Sequence, residues 1–578
     1  MVLLAGAIRG DDPMPRDLPE RPPCRAWQTL AMDAIDATRG SAPVPEDDGP
    51  PERELRDWFL EPEERGNPAT RIRPWTVGNR VEALIHGGSY FPRLYHELEA
   101  LKPGDLVELT DWRGDADQRL DGPGTELGEV LADAARRGVE VRGLLWRSHP
   151  SRAHFNEEPN LHLGAKVNRA GGEILLDERV KGPGCQHQKL VVLRHPGRLD
   201  QDVAFLGGID LCHGRGDDER HLGDPQAAPL DPRYGPQPPW HDAQVEIRGP
   251  AVVDVATTFR ERWQDPTPLD HRNPWRARLT RRIGQPRHPG PLRDPLDDPP
   301  EAGPHAVQVL RTYPAKRPRL PFAPHGERSI ARAYAKAFRR ARRLIYVEDQ
   351  YLWSREVARI LAEALRRSPS LRLIAVVPRY PDQDGALTGP PNRIGQQAAI
   401  DLVTEAGGDR VAVYDLENEA GTPIYVHAKV CVVDDVWSSV GSDNLNRRSW
   451  THDSELTAAV LDPTRDPREP RDPAGLGDGA RVFARELRLR LWREHLGRAP
   501  GDDADLVDPE VGFEAWRRQA AALQAWHRDR AGQRPPGRAV PHHPGRVQPW
   551  AAWWAWPVYH TLIDPDGRPL ARRRRGGF

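Results

Sequence analysis

Apolar residues run through Val430–Val433, break at Asp434-Asp435 and resume over Trp437–Val440. That pattern predicts two antiparallel strands joined by a short turn. A second copy stands earlier, with Leu190–Leu193 as its first strand and Gly207-Gly208 where the later copy has Gly441-Ser442. The likeness extends to the flanks. A helical pattern at Tyr90–Leu101 and a strand at Leu106–Trp112 match a helical pattern at Ile330–Arg343 and a strand at Leu344–Trp353. Val139–Trp146 and Leu371–Pro378 supply one further strand each. After the first copy, Val252, Ala256, Phe259 and Trp263 fall on one helical face; after the second, Phe483, Leu487 and Leu491 do. Two copies of one unit predict an α/β fold of two similar halves. Each half is a mixed sheet flanked by helices, in a pseudo-two-fold arrangement with the active site between them.

Each copy opens on the same polar pair, His187 with Lys189 and His427 with Lys429. Residues two apart on a strand share a face, so imidazole and ammonium project side by side. Beside them the Gly-Gly and Gly-Ser turns offer backbone N–H groups, a combination suited to phosphate. Composition sharpens this. Of 83 basic residues only seven are lysine, and two of those seven stand in these pairs. A chain that uses arginine nearly everywhere keeps a compact ammonium here, which arginine's planar fork does not replace.

With GGIDL, PWHDAQVEIRGPAV, YVEDQY and GSDNLNRRS, the paired motifs resemble the phospholipase D superfamily (the HKD family) over roughly Trp75 to Leu496, and within it the lipid-acting phospholipase D branch. The resemblance implies a metal-independent phosphodiester transfer through a phosphohistidine. One histidine attacks phosphorus, and the other protonates the leaving alcohol and then activates the acceptor. The product would be phosphatidic acid and a free headgroup, with transphosphatidylation to an alcohol open. Lys189 and Lys429, with Gly207, Gly208, Gly441, Ser442 and Asn444, would hold the phosphate oxygens. An acidic residue after each motif is expected to orient the imidazole, Asp242 for His187 and Glu455 for His427. Asp434 completes HxKxxxxD in the second copy, while Arg194 stands at that position in the first, with Asp200 or Asp202 as substitutes. Asp210 stands where the second copy has Asn444. The resemblance favours His187 as the attacking residue.

Other readings stay in view. A cardiolipin-synthase-type phosphatidyltransferase fits less well, because that type normally has membrane spans. A nuclease lacks its basic, aromatic-studded groove. An inactive lipid-binding member is prompted by Arg194 but opposed by two intact HxK pairs. Asp111, Asp115 and Asp117 could take a hard cation but read better as the rim of the shared site. Cys185, His187, Cys212 and His213 have unusual spacing for zinc. No cofactor is expected.

The formal net charge of −2 gives no field that attracts nucleic acid. Four cysteines form no disulfide framework in a chain of this length. No run approaches the ~20 apolar residues of a membrane span, and MVLLAGAIRG does not read as a signal peptide. The expected protein is a cytoplasmic monomer, peripheral to the membrane whose phospholipid it uses, with export open. Four regions are expected: a loosely structured extension (1–74), two halves (75–300 and 301–497), and a Trp- and Arg-rich extension (498–578). In the last, PWAAWWAWPVYH near Arg572–Arg575 suits anionic headgroups. A Trp-rich edge packed on the core is the plainer reading.

Overall fold

The runs rich in valine, leucine and isoleucine become strands, and the strands sort into two sheets with the same internal order. The computed structural model describes residues 52–147, 157–270, 284–382, 389–573 and 578, all within the unit Asp48–Phe578. The first half contributes β1 (Thr76–Ile85), β2 (Leu106–Asp111), β3 (Glu140–Trp146), β4 (Glu173–Asp177), β5 (Leu190–Arg194), β6 (Val203–Gly207), β7 (Trp240–His241) and β8 (Ala243–Arg248). The second contributes β9 (His305–Tyr313), β10 (Glu327–Arg328), β11 (Leu344–Glu348), β12 (Arg372–Val376), β13 (Val411–Glu417), β14 (Pro423–Val426), β15 (Val430–Val433), β16 (Trp437–Gly441), β17 (Glu455–Leu461) and β18 (Ala539–Pro541).

Pairings run β4-β3-β2-β5-β6-β8-β1 in one sheet and β13-β12-β11-β15-β16-β17-β9 in the other. In each, the first three strands are parallel and the rest antiparallel, so the duplication holds strand by strand. Antiparallel pairing of β1 with β9, broken by a bulge between Thr76 and Asn79, joins the sheets edge to edge. Helices Leu127–Arg136 and Arg355–Arg367 make equivalent parallel crossovers. The inner faces share one core, into which the helices Ala251–Trp263 and Val482–Leu496 both pack.

The two hairpins differ at their tips. Asp434 and Asp435 both adopt positive φ (53° and 58°) at the centre of a tight turn closed by Val436 N–H on the Val433 carbonyl at 3.0 Å, within a three-residue loop that leaves Val433 opposite Trp437. Side-chain contacts hold this non-glycine pair in place. Asp434 accepts the N–H groups of Arg342, Arg343 and Leu344, each at 2.8 Å, and Asp435 pairs with Arg485 and Arg488. In the first half neither proposed substitute repeats this. Asp202 instead pairs with Arg194 at 2.6 Å and caps His195 N–H, while Asp200 lies in a short 3₁₀ turn.

The loose extension expected over 1–74 gives way at Glu52 to ordered chain, because Leu55, Trp58, Phe59 and Leu60 bury themselves in the outer core of the second half. Residues up to 51 lie outside the described residues. The C-terminal segment is also integral to the second half. Helix Pro509–Asp529 buries Phe513 and Trp516 in the shared core, and β18 adds to β13.

Candidate active site

Short pairings between the halves build the site. β7 runs parallel to β14, with Tyr425 opposite Trp240 and Val426 opposite His241. On the symmetry-related side Gln186 bridges Ser454. Each histidine motif is therefore laid against the segment that carries the other half's carboxylate. The Nδ1–H of His187 donates to Glu455 Oε2 at 2.9 Å, and that of His427 donates to Asp242 Oδ2 at 2.7 Å. This reverses the pairing expected from chain order, in which Asp242 serves His187 and Glu455 serves His427. Chain order failed because the partner of each motif is set by strand pairing across the halves. With Nδ1–H fixed by a carboxylate, Nε2 carries the lone pair in the neutral ring.

Both histidines line one cavity of about 570 Å³, within the size range of small-molecule sites. Trp112, Trp146, Trp240, Tyr351, Trp353 and Tyr425 give it aromatic walls, and Val558, Leu562 and Ile563 add apolar surface from the C-terminal segment.

The two lysines meet different surroundings. Lys189 forms an ion pair with Asp210 at 3.1 Å and donates to the His187 carbonyl at 2.9 Å. Burial opposes its charge, but Asp210, Asp111 and Glu455 outweigh burial and raise its pKa. Lys429 donates to the His427 carbonyl and, at 3.4 Å, to Gln350. Burial, reinforced by Lys189 and opposed by Asp242, leaves Lys429 at about 8. Burial, then Lys429 and Arg215, also hold His427 well below the ordinary imidazole range.

Sequence reasoning missed Arg215. Its guanidinium lies 3.9 Å from the Trp240 ring centroid and 3.1 Å from Asp210, on the cavity wall. Arginine is this chain's default cation, so the residue carried no signal. Asp210 thus links Lys189 to Arg215, and those two cations, working against burial, hold it below the ordinary carboxylate range.

The expected phosphate-binding set divides. Asn444 lines the cavity, with its buried Oδ1 lacking a hydrogen-bond partner. Ser442 does not face the cavity as a free donor. Its hydroxyl donates to Glu455 Oε2 at 2.6 Å and accepts from Leu456 N–H at 3.0 Å, so it positions a carboxylate. Gly207, Gly208 and Gly441 serve close packing. A Cβ on Gly208 would fall 2.1 Å from Asp242 Oδ1, one on Gly441 2.1 Å from Thr457 Oγ1, and one on Gly207 2.4 Å from Gln244 Oε1. Asp434 sits at the far end of β15 from His427, engaged with backbone, and makes no contact with either histidine. It is not among the residues that line the cavity, and its carboxylate is taken up by backbone N–H groups.

The cysteine-based zinc set does not assemble. Cys185 Sγ lies 3.1 Å from Asp453 Oδ2, and His213 lies against Asp115 and Asp117. Nor do the three aspartates converge on one point, for Asp111 caps Arg113 and Leu211 N–H, Asp115 pairs with Arg113, and Asp117 is exposed. Near the cavity, helix Pro549–Val558 leaves Trp550 and Trp553 at 74% and 85% exposure, with Leu562 beyond it at 53%. The packed edge predicted for this stretch fails for those two tryptophans.

Two family models match the chain. One, described as "Phospholipase D", covers residues 114–274, and the other, "Cardiolipin synthase, PLD-like domain", covers 334–466. Each takes in one histidine–lysine pair. Phospholipase D alpha 1 of Oryza sativa subsp. japonica is 26% identical over 558 residues, covering 72% of this chain and 65% of that protein. Phospholipase D alpha 1 of Arabidopsis thaliana is 26% identical over 544 residues, covering 70% and 63%. The chain thus spans a little under two thirds of the length of these relatives. Among solved structures, phosphatidylserine synthase of Haemophilus influenzae Rd KW20 is similar with a TM-score of 0.45 at 14% identity, covering 71% of this chain and 86% of that one.

Proposed function

The chain belongs to the phospholipase D superfamily, and from that premise we propose that it cleaves glycerophospholipid phosphodiesters to phosphatidic acid and a free headgroup. One observation carries the reading. Two histidines face one cavity, each with Nδ1 tied to a carboxylate and Nε2 left as the reactive nitrogen.

In the proposed reaction His187 Nε2 attacks phosphorus. The P–N bond forms as the P–O bond to the headgroup breaks, and His427 gives its proton to the leaving oxygen. Water, or an alcohol, then attacks phosphorus, His427 takes back the proton, and His187 departs. The free enzyme holds His427 neutral through burial and the nearby cations. A phosphodiester anion seated between Lys189, Lys429 and Arg215 would offset the part of this depression that the cations supply, which favours the protonated His427 that must donate. Glu455 and Asp242 stabilise each imidazolium as it forms.

The apolar surface of Val558, Leu562 and Ile563 and the exposed Trp550 and Trp553 favour a lipid over a nucleic acid, since indole rings settle at headgroup level. No helix among the described residues is long and apolar enough to cross a membrane, so the proposed encounter with lipid is peripheral.

Incubation with phosphatidylcholine vesicles and butan-1-ol tests the reading. Phosphatidylbutanol beside phosphatidic acid is the expected result. Unchanged lipid together with cleavage of single-stranded DNA would replace it with the nuclease reading. The attacking residue is read from a His427→Asn variant given a p-nitrophenyl phosphodiester, whose adduct should map to His187 by mass spectrometry.

A further inference from the structure

Outside the cavity, three histidines converge on one carboxylate. His86 Nε2 lies 2.9 Å from Glu494 Oε2, His221 Nε2 lies 3.0 Å from Glu494 Oε1, and His241 Nδ1 lies 3.5 Å from Glu494 Oε1. One ligand atom from each of the four residues falls within 4.8 Å of all the others. The three histidines are 3%, 0% and 0% exposed, and none of the four residues lines the catalytic cavity. We propose that His86, His221, His241 and Glu494 form a closed structural site for a divalent transition metal of the zinc class, joining the two halves behind the catalytic pair.

Three features support this. First, the buried His241 Nδ1 has no hydrogen-bond partner although it points towards the cluster. In a purely hydrogen-bonded network that nitrogen has only the long 3.5 Å approach to Glu494, whereas a metal would engage it directly. Second, the outer nitrogens of two rings face carboxylates, an arrangement that orients metal-bound imidazoles. His241 Nε2 is 2.7 Å from Glu348, and His221 Nδ1 is 3.6 Å from Asp217. His86 Nδ1 has no such acceptor. Third, the rings meet edge to face rather than stacked. His86 meets His221 at 88° and His241 at 70°, with centroids 4.9 and 5.0 Å apart. Metal–ligand bonds of about 2.0–2.1 Å imply ligand–ligand edges of roughly 3.3 Å in a tetrahedron. The His–Glu494 separations of 2.9, 3.0 and 3.5 Å bracket that value, and the four ligand atoms all lie within 4.8 Å of one another. Three imidazoles with one carboxylate suit zinc-like ions over calcium or magnesium.

The position explains what such an ion would do. His86 N–H donates to the Asp242 carbonyl at 2.8 Å, and His427 N–H donates to the His241 carbonyl at 2.8 Å. A metal fixing His86 and His241 to Glu494 would therefore fix Asp242 beneath His427. It would act by positioning, and the transfer chemistry would still run on side chains alone.

The full chain, produced with zinc in the medium and purified without chelator, should retain about one equivalent of zinc by plasma mass spectrometry. X-ray absorption should show three nitrogen and one oxygen scatterers near ~2.0 Å. After stripping with phenanthroline, cobalt(II) should give the visible absorption of a four-coordinate site, and added zinc should raise the melting temperature. The variant His86→Gln/His221→Gln should lose at least ~100-fold in zinc affinity, while His213→Gln, outside the cluster, should not. The wild-type spectra decide the matter even if the double variant fails to fold. Substoichiometric zinc with no cobalt spectrum would make the cluster a hydrogen-bonded network. A full equivalent of zinc retained by a folded double variant would place the metal elsewhere, and either result overturns the proposal.

Discussion

Asp242, carried by the first half, accepts at 2.7 Å the Nδ1–H of His427, carried by the second. Glu455 returns the arrangement to His187 at 2.9 Å. In a double-mutant cycle on turnover of a soluble phosphodiester, Asp242 should therefore couple to His427. We expect His187→Ala, His427→Ala and Asp242→Asn each to cost ~10²–10⁴ in rate. Asp242→Asn added to His427→Ala should cost little more, because the carboxylate acts through the ring already lost. Stronger coupling of Asp242 to His187 would restore the pairing expected from chain order.

Lys429 gives the pH dependence an alkaline limb. With its pKa drawn down to about 8, it loses charge as pH rises through that value, and turnover should fall with it. Lys429→Arg, charged throughout, should show no such limb in whatever activity remains. The stability effect has the opposite sign. The unfolded chain holds this proton up to about 10.5, so between about 8 and 10.5 it binds more protons than the folded state, and folding stability should rise with pH across that window. Lys429→Met should consequently stabilise the fold at pH 7 while ending catalysis. A flat rate profile to pH 10 would show that the buried ammonium keeps its ordinary affinity for protons.

Asp434→Asn should leave the chemistry intact and lower the melting temperature. Three backbone N–H groups converge on this carboxylate, and burial leaves it at about 6. Weakening those bonds should cost about 1–3 kcal/mol. Calorimetry beside kcat on a soluble substrate separates the two effects. A large fall in kcat with an unchanged melting point would put Asp434 back among the catalytic residues.

Trp550→Ser/Trp553→Ser should reduce activity on phosphatidylcholine vesicles by about tenfold or more, in line with the ~1.5–3 kcal/mol gained by burying one large apolar side chain. Activity on a monomeric short-chain substrate should not change. Equal losses on both substrates would show that these exposed side chains support the fold rather than an approach to lipid.

The repeat was legible because β-strands and helices impose periods of two and 3.6 on the chain, and both copies keep them. The strand starts fell where the pattern put them, at Leu106 and Leu344, while the second strand stopped at Glu348, five residues before Trp353. His187 and His427 were legible through their lysines, scarce in an arginine-rich chain. What escaped was decided between elements distant in the chain. No local pattern records that β7 lies beside β14, so the carboxylates were assigned to the nearer motif. Ser442 looked like a phosphate ligand from its place in the turn, but Glu455, 13 residues on, takes its hydroxyl. Arg215 was indistinguishable from the solvated arginines around it. The convergence of His86, His221, His241 and Glu494 spans 408 residues of separation and has no signature at any single stretch.

The exchange of carboxylates between halves also bears on how such a molecule could arise. A lone ancestral copy of this unit, with its acid placed as Asp242 or Glu455 now is, could not have oriented its own histidine. Two identical copies, paired as the halves are here, would each supply the other's carboxylate. Fusion of the two genes would have made that partnership permanent and freed the copies to diverge, as Asp210 and Asn444 have done. Deleting either copy, or its acid, would remove the carboxylate that accepts the Nδ1–H of a histidine encoded in the other.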